Sequence, residues 1–430
     1  MRDFIFRTLM STSAATVVWL FALALIAAGC TGGSHEHATP SALTIDEPIH
    51  YIGSLAREPM VVEHSSGTLF VTGYNNESES PQLWRSTDGG ATWEPVNVGT
   101  PADGADGDSC TDLAIGPDGT LYLMAMEYGP ETPGDPTSAW EGKHIAVGVS
   151  HDVGMTWSWT YLSQDRYDDR PWVRVAPDGT AHAIWNDGKG VSHATSSDSG
   201  RTWIEQERIH PKGHSSHLAV GPNGEVAVRI TPLSASGHQY DEGVELIAVS
   251  TDGGQTWQKH VPPGTRKWEP TLEGELPRWV EPIAWDAEGT LYHVWSEGQS
   301  LWLGRSQDEG KTWKRWAVAD DDDRVFFPYL VSNGSGELAC TWFSGRDDSL
   351  RAHAALIEMA SGSGDGAPHV RKSEPLQLDI WSGNSPQTRS TGGEYIPVVF
   401  LKDGGLGVVT PIQNNQEDRR GFSWWRFNAR

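Results

Sequence analysis

The stretch Ser86-Thr87-Asp88-Gly89-Gly90-Ala91-Thr92-Trp93 recurs along the chain in the form S-x-D-x-G-x-T-W. In each copy the Asp side chain can accept hydrogen bonds from backbone N–H groups further along the turn, the Gly permits a positive φ, and the Trp packs on a neighbouring strand. The pattern predicts five tight turns with structural carboxylates, at Asp88, Asp152, Asp198, Asp252 and Asp308.

A second repeat consists of an apolar strand, a Gly-containing tight turn and another apolar strand. Its seven copies span residues 59–74, 112–128, 171–186, 217–231, 281–296, 328–343 and 395–411. With a loop, a third strand, the S-x-D turn and an outer strand, each copy makes one four-stranded blade, although only the first five copies are followed by an S-x-D turn. The sequence therefore predicts an all-β chain forming a single β-propeller over residues 42–430. Seven blades are favoured, six are the alternative, and the segment 42–51 closes the ring as the missing outer strand.

The S-x-D-x-G-x-T-W turns resemble the Asp-boxes, also called BNR repeats, of the sialidase superfamily. The resemblance covers residues 43–430 and implies a β-propeller. It also implies that the boxes are structural and lie on the face opposite the active site. Sialidases have six blades, so a seventh blade is a departure from the family.

Composition restricts the class of partner. The 430 residues include 32 Lys and Arg against 57 Asp and Glu, a formal net charge of -25, which argues against a nucleic-acid partner because phosphate binding needs a clustered basic surface. The three cysteines provide no disulfide framework. P-loop, Rossmann and zinc-protease motifs are absent from the sequence, and we expect a monomer without a cofactor or metal.

The N-terminal segment has the pattern of a targeting signal. Arg2 and Arg7 precede an apolar run over residues 14–26, and small residues lead directly to Cys30. This resembles a bacterial lipoprotein lipobox, in which the cysteine is acylated. We therefore interpret residues 1–29 as a lipoprotein signal peptide and residues 30–41 as a flexible tether from lipidated Cys30 to the bacterial envelope. An ordinary signal peptide with a chance cysteine is the alternative.

Alternating strand directions predict where function lies. If the boxes and the Gly turns mark one face, the first residues of the inner strands meet at the other face, around the central funnel. Charged and aromatic residues at these positions and in the adjoining loops are candidates for contact with a glycan: Arg57, Asp169, Arg170, His217, Arg278, Arg324 and Tyr329.

The family resemblance assigns roles to four of these inner-strand and loop positions. Arg57 occupies the place of the family's first carboxylate-binding arginine, although Glu58 follows it where Ile is usual. Tyr395 matches the nucleophilic Tyr, and Glu281 matches the Glu that takes its phenolic proton. Glu77 stands in the loop that carries the family's general acid. Ser296 and Glu297 occupy the place where a second arginine is expected.

Three functions are compatible with this pattern. The first is an exo-acting, surface-anchored glycoside hydrolase of the sialidase-like group. The second is a non-catalytic glycan-binding or assembly propeller, which the missing arginines favour. The third is a polysaccharide lyase in which His214 or His217 acts with Tyr329.

Overall fold

The computed structural model describes residues 42–53, 57–74, 78–132, 137–234, 241–269, 280–321, 323–345, 350–359, 366–378, 380–381, 394–414 and 419–429. The chain divides into two units, Met1–Thr39 and Pro40–Arg430, and every described residue belongs to the second. The predicted signal peptide and tether, with Cys30, lie outside the described residues.

The described residues form seven four-stranded blades, which confirms the seven-bladed all-β propeller. In blades 1 to 6 the four strands are antiparallel and follow chain order from the centre outward, whereas the outermost strand of blade 7 is the first strand of the described chain. Blade 1 comprises β2 (Arg57–Glu63), β3 (Leu69–Tyr74), β4 (Gln82–Ser86) and β5 (Glu94–Pro95). Blade 2 comprises β6 (Ser109–Ile115), β7 (Leu121–Pro130), β8 (Trp140–Ser150) and β9 (Ser158–Ser163). Blade 3 comprises β10 (Asp168–Val175), β11 (Ala181–Asp187), β12 (Val191–Ser196) and β13 (Ile204–Glu205).

The later blades carry small additions to the same plan. Blade 4 comprises β14 (His214–Val220), β15 (Val226–Thr231), β17 (Leu246–Ser250) and β18 (Gln258–His260), with a ribbon of β16 (Gly243–Val244) and β19 (Lys267–Trp268). Blade 5 comprises β20 (Ile283–Trp285), β21 (Leu291–Glu297), β22 (Ser300–Ser306) and β23 (Lys314–Asp320). Blade 6 comprises β24 (Val325–Ser332), β25 (Glu337–Ser344), β26 (Arg351–Glu358) and β27 (His369–Lys372), with β28 (Leu376–Gln377) beside β26. A short 3-10 helix spans Pro101–Asp103.

Blade 7 joins both ends of the described chain. Its strands are β30 (Val398–Phe400), β31 (Leu406–Asn414), β32 (Arg419–Asn428) and β1 (Thr44–Ile52), with β29 (Ile380–Trp381) parallel to β31. The first strand pairs antiparallel with β32, from Thr44 opposite Asn428 to Ile52 opposite Phe422. This pairing closes the ring.

The second strands of the blades are buried on both faces. Every residue of β3, β11 and β15 is buried, as are Leu121–Met126 of β7. A blade packs against a neighbour on each side, so both faces of these strands are covered, and their sequences are mainly apolar.

The five S-x-D-x-G-x-T-W turns share one hydrogen-bond pattern. In the first, Ser86 Oγ donates to Asp88 Oδ1 at 2.8 Å, and Thr92 donates its backbone N–H to Asp88 Oδ1 at 2.9 Å and its hydroxyl to Oδ2 at 2.6 Å. Gly90, at φ 96°, donates its N–H to Ser86 Oγ. The same bonds hold the carboxylates of the other four turns: Asp152, Asp198, Asp252 and Asp308. Each of these carboxylates is thus bound within its own turn.

We expect the boxes to make the propeller sensitive to acid. The hydrogen bond from the Thr202 side chain, followed by that from its backbone, lowers the pKa of Asp198 to about 2, below the ordinary value of about 3.9. A depressed pKa stabilises the fold fully above pH about 4, and this stabilisation is lost as pH falls through about 2. Thr202→Val should therefore lower the melting temperature at pH 7, and its deficit relative to wild type should shrink towards pH 2.

The measurement is thermal unfolding by circular dichroism from pH 7 to pH 2. Thr160→Val on the exposed outer strand of blade 2 is the matched control and should show no deficit at any pH. A deficit for Thr202→Val that stays constant down to pH 2 would contradict the assignment.

The boxes lie on the same face as the turns between first and second strands. Ser199 of the third box donates its hydroxyl to Asp118, in the first turn of blade 2, at 2.7 Å. Because strands alternate in direction, the first residues of the inner strands lie at the opposite face, around the central channel.

Candidate functional site

A β-bulge interrupts the inner strand near its first residue in five blades. The register shifts lie within Arg57–Met60, Ser109–Thr111, Asp169–Trp172, Ser215–His217 and Phe326–Tyr329. Four residues at these bulges adopt positive φ although they are not glycine: Glu58, Cys110, Arg170 and Phe327. Such a conformation costs about 1–3 kcal/mol and turns the side chain away from its regular direction. The bulges therefore place Glu58 and Arg170 in one group at the channel.

The carboxyl group of Glu58 lies among charged and polar neighbours from four blades. Arg57 Nη2 is 4.0 Å from Glu58 Oε1, the Tyr74 hydroxyl hydrogen bonds to this carboxyl group, and Cys110 Sγ is 3.8 Å from Oε2. Burial, followed by the charge of Glu394, raises the pKa of Glu58 to about 7 against the opposing charges of Arg57 and Arg170. Glu58 is therefore a group that exchanges a proton near neutral pH.

Arg170 connects carboxylates of blades 3 and 7. Its Nη1 is 3.1 Å from Glu394 Oε2, and its Nε is 3.7 Å from Asp169 Oδ2. His214 Nδ1 of blade 4 is 3.5 Å from the same Asp169 oxygen. Burial acts to raise the pKa of Asp169, but the hydrogen bond from His214 and the charge of Arg170 lower it below its ordinary value. Asp169 is therefore held as a carboxylate.

We name these five residues the acidic funnel: Arg57, Glu58, Asp169, Arg170 and Glu394. Their side chains differ in solvent exposure. The side chain of Arg57 is 37% exposed and that of Asp169 is 25% exposed, whereas Arg170, Glu394 and Glu58 are at 12%, 9% and 8%. Arg57 and Asp169 thus face solvent at the opening, and Glu58 lies deeper.

Aromatic side chains cross the channel next to the funnel, and we name Met60, Trp172, His217, Tyr329 and Tyr395 the aromatic floor. Trp172 lies 5.6 Å from Tyr395 and 5.1 Å from His217, and His217 lies 5.5 Å from Tyr329 between ring centroids. The Tyr329 hydroxyl approaches Met60 Sδ at 3.6 Å. These contacts join side chains of blades 1, 3, 4, 6 and 7 across the centre of the ring.

Tyr395 and Glu281 have different surroundings. Burial raises the pKa of Tyr395 well above its ordinary value, and the charges that act on it most are Arg170, Glu394 and Glu58. Glu281 Oε2 instead accepts a hydrogen bond from Arg229 Nη2 at 2.6 Å and lies 4.0 Å from His293 Nε2. Arg229 thus binds Glu281 between blades 4 and 5, and the pairing of Tyr395 with Glu281 as its base stays a prediction.

The Arg229 cluster is fully buried. Arg229, Glu245 and His293 are 0% exposed and Glu281 is 1% exposed. Arg229 Nη2 also lies 3.4 Å from Glu245 Oε1, and Arg229 Nη1 donates to the Ile230 carbonyl at 2.9 Å. The Arg229 guanidinium therefore lies beside two buried carboxylates, those of Glu245 and Glu281. This arrangement connects blades 4 and 5.

The remaining sequence candidates fall in three places. His217 and Tyr329 belong to the aromatic floor, and Arg324 is exposed just before β24. Burial lowers the pKa of His217 well below its ordinary value, which keeps the ring neutral. Glu77 and Arg278 lie outside the described residues.

The sequence pattern assigned no role to Glu58 or Glu394, and it did not indicate Arg174 of blade 3. Arg174 Nη1 binds Asp112 Oδ2 at 2.6 Å, stacks 5.8 Å from Trp172 and hydrogen bonds to the Tyr329 hydroxyl. One signal was available: Pro follows Glu58, Arg170 and Phe327, and Pro inside a strand marks a bulge or an edge.

A cleft of about 180 Å³ opens beside the funnel, between the loops of blades 3 and 4. Its lining includes Lys189, Lys212, Asp241 and the buried His214. Because His214 also contacts Asp169, the cleft adjoins the acidic funnel. Within the described ranges, no group of three or more His, Cys, Asp or Glu side chains is arranged to hold a metal ion, and no helix is long and apolar enough to cross a membrane.

Comparison with known proteins identifies the repeat and finds solved structures of similar fold. The BNR/Asp-box repeat family model matches residues 84–95 and 248–259. No curated protein matches the chain. YCF48 from Cyanidioschyzon merolae is 12% identical over 90% of this chain and 99% of its own, with a TM-score of 0.50.

Two glycosidases are also among the similar structures. The α-L-arabinofuranosidase Arb93A from Fusarium graminearum, in complex with an iminosugar inhibitor, is 14% identical over 90% of this chain and 96% of its own, with a TM-score of 0.47. The Hadza microbial sialidase Hz136 is 20% identical over 68% and 64%, with a TM-score of 0.42. At these identities the similarity concerns the fold alone. The chain is a seven-bladed β-propeller that carries BNR/Asp-box repeats.

Proposed function

We propose that this propeller is an exo-acting glycoside hydrolase whose acidic funnel binds the terminal sugar of a glycan. Propellers of this shape have unrelated functions, so the proposal depends on the funnel and not on the fold. The observation that carries it is the position of two carboxyl groups, Glu58 and Asp169, beside the arginines of one funnel, where their surroundings shift their pKa values in opposite directions. Environments that separate two such pKa values are how glycosidases assign acid and base roles.

In this proposal Glu58 is the general acid. With a pKa of about 7, it retains a proton at neutral pH that it can donate to the glycosidic oxygen as the bond breaks. Asp169, held ionised by His214 and Arg170, is the base or nucleophile on the sugar. Arg57, the most exposed of the group, contacts substrate hydroxyls. Because the aromatic floor crosses the centre of the ring next to the funnel, a chain end fits the site better than the middle of a polysaccharide.

Tyr395 as nucleophile is the second mechanism for the same reaction. Its phenol needs a base, because burial favours the protonated form. Glu58 and Glu394 act on the Tyr395 hydroxyl and are the candidates for that base, in place of Glu281. Tyr395→Phe distinguishes the mechanisms: it should nearly abolish turnover if Tyr395 attacks, and should preserve most turnover if Asp169 does.

Hydrolysis of a panel of chromogenic glycosides by the purified protein tests the function. We expect release of the chromophore from a terminal monosaccharide. An inert protein that is retained on a glycan array would contradict hydrolysis and favour a binding propeller. An unsaturated, ultraviolet-absorbing product would favour the lyase.

We further propose that the protein is anchored at the bacterial envelope through lipidated Cys30. The support is the lipobox pattern directly before Cys30. Cys30→Ala should block processing or move the protein from the membrane fraction to the soluble fraction, as measured by fractionation and immunoblotting. Cys340→Ala, a buried cysteine of blade 6, is the control. Unchanged membrane association of Cys30→Ala would contradict the anchor.

A further inference from the structure

The charges of the acidic funnel are already paired internally. Arg170 is bound by Glu394 at 3.1 Å and approached by Asp169 at 3.7 Å, and Arg57 lies 4.0 Å from Glu58. Two guanidinium groups thus meet three carboxyl groups. The group is neutral when Glu58 is protonated and carries one negative charge when Glu58 is ionised.

A substrate carboxylate meets an unfavourable environment here. To bind it in a bidentate manner, Arg170 would have to release Glu394 or Asp169, and a carboxylate left in the interior without its partner is strongly destabilising. The substrate's own charge would also approach three acids. A recognition site for an anionic sugar needs guanidinium groups that are free of protein acids.

Hydroxyl and ammonium groups of a sugar meet the opposite situation. Carboxylates accept hydrogen bonds from both kinds of donor, and such charge-assisted bonds are about twice as strong as neutral ones. His214 Nε2, buried and without a hydrogen-bond partner among the described residues, lies where the funnel meets the cleft and offers one further polar contact.

We propose that the funnel selects a terminal sugar without a carboxylate, either neutral or amino-substituted, and rejects sialic and uronic acids. This inference deepens the proposed glycosidase and rests on the same site. It separates the protein from a sialidase in specificity: the Arg57 position is retained, but its guanidinium is shared with Glu58.

Binding of matched nitrophenyl glycosides tests the inference without requiring hydrolysis. The glucose, glucosamine and glucuronate series, the galactose, galactosamine and galacturonate series, and N-acetylneuraminate are titrated into the full chain by calorimetry. In at least one series the neutral or amino member should bind at least tenfold more tightly than its uronate, and the sialoside should bind no better than the uronates. A uronate or sialoside that binds as tightly as its neutral counterpart would overturn the proposal, and so would failure of every neutral and amino glycoside to bind.

Removing single carboxylates from the acidic funnel is the second test of the proposal. Glu394→Gln leaves Arg170 with one carboxylate partner fewer. It should reduce the ratio of the uronate Kd to the neutral-glycoside Kd by about tenfold, and Asp169→Asn should change this ratio in the same direction. Glu288→Gln, exposed on the opposite face, should leave the preference unchanged. An unaltered preference in both folded funnel variants would overturn the proposal. Neutral binding without hydrolysis would contradict only the proposed glycosidase, whereas hydrolysis of sialosides would contradict only the inferred specificity.

Discussion

Replacing Glu58 with Gln should lower turnover of the best glycoside by about 10²–10⁴-fold, the usual contribution of a positioned general acid. The amide keeps the shape of the side chain but cannot supply a proton. In the wild type, kcat/KM should fall as pH rises through about 7, because Glu58 must be protonated to act. Glu58→Gln should lose this dependence, and measuring kcat/KM from pH 5 to pH 9 checks both expectations.

The controls for Glu58→Gln separate chemistry from folding. Removing a buried carboxylate that repels Glu394 should not lower the melting temperature, and Glu288→Gln should retain wild-type turnover. A Glu58→Gln variant with near-normal activity would exclude Glu58 as the acid. If Tyr395→Phe were inactive at the same time, the phenol mechanism would replace the carboxyl pair.

The largest loss of stability is expected for Arg229→Met. It leaves Glu281 and Glu245 in the interior without their guanidinium, and breaking a buried ion pair in this way costs about 3–5 kcal/mol. Urea denaturation followed by tryptophan fluorescence measures this loss. Arg229→Met combined with Glu281→Leu should recover part of it, because one of the two carboxylates that lose the guanidinium is removed as well.

The same measurements reveal the role of Glu281. As a structural partner of Arg229, Glu281→Gln should lower the free energy of unfolding and leave turnover of the remaining folded protein nearly intact. If Glu281 served as a catalytic base, the variant would lose turnover at unchanged stability. Arg201→Met, on the exposed third box, is the control for loss of an arginine and should change stability little.

The fold was predictable because its signals are local and repeated. Asp88 and its equivalents each form a turn from residues within eight positions, and the Gly turns between strands are equally local. Counting such units gave seven blades. The pairing of Thr44–Ile52 with the last strand followed from the blade that lacked an outer strand.

The site was predictable only as a set of positions. Arg57, Asp169 and Arg170 lie at the first residues of inner strands, where alternating strand direction places them. Which carboxylate each arginine binds depends on contacts between blades: Arg170 binds Glu394, which is 224 positions distant in the sequence. The bulge at Glu58 determines the orientation of the Glu58 side chain. A bulge leaves no mark on the periodicity of the sequence, and its one local signal is the proline that follows Glu58.

Closure of the ring by β1 also constrains when this protein can become native. Thr44 cannot reach its partner Asn428 until nearly the whole chain has been made, so the last blade depends on a contact between the two ends of the described chain. Until then β1 and β32 each present unpaired backbone groups, which are templates for pairing with other chains. A variant that lacks the residues before 53 would keep the edge of β32 exposed permanently. We expect such a variant to associate with other chains rather than to have a defective funnel.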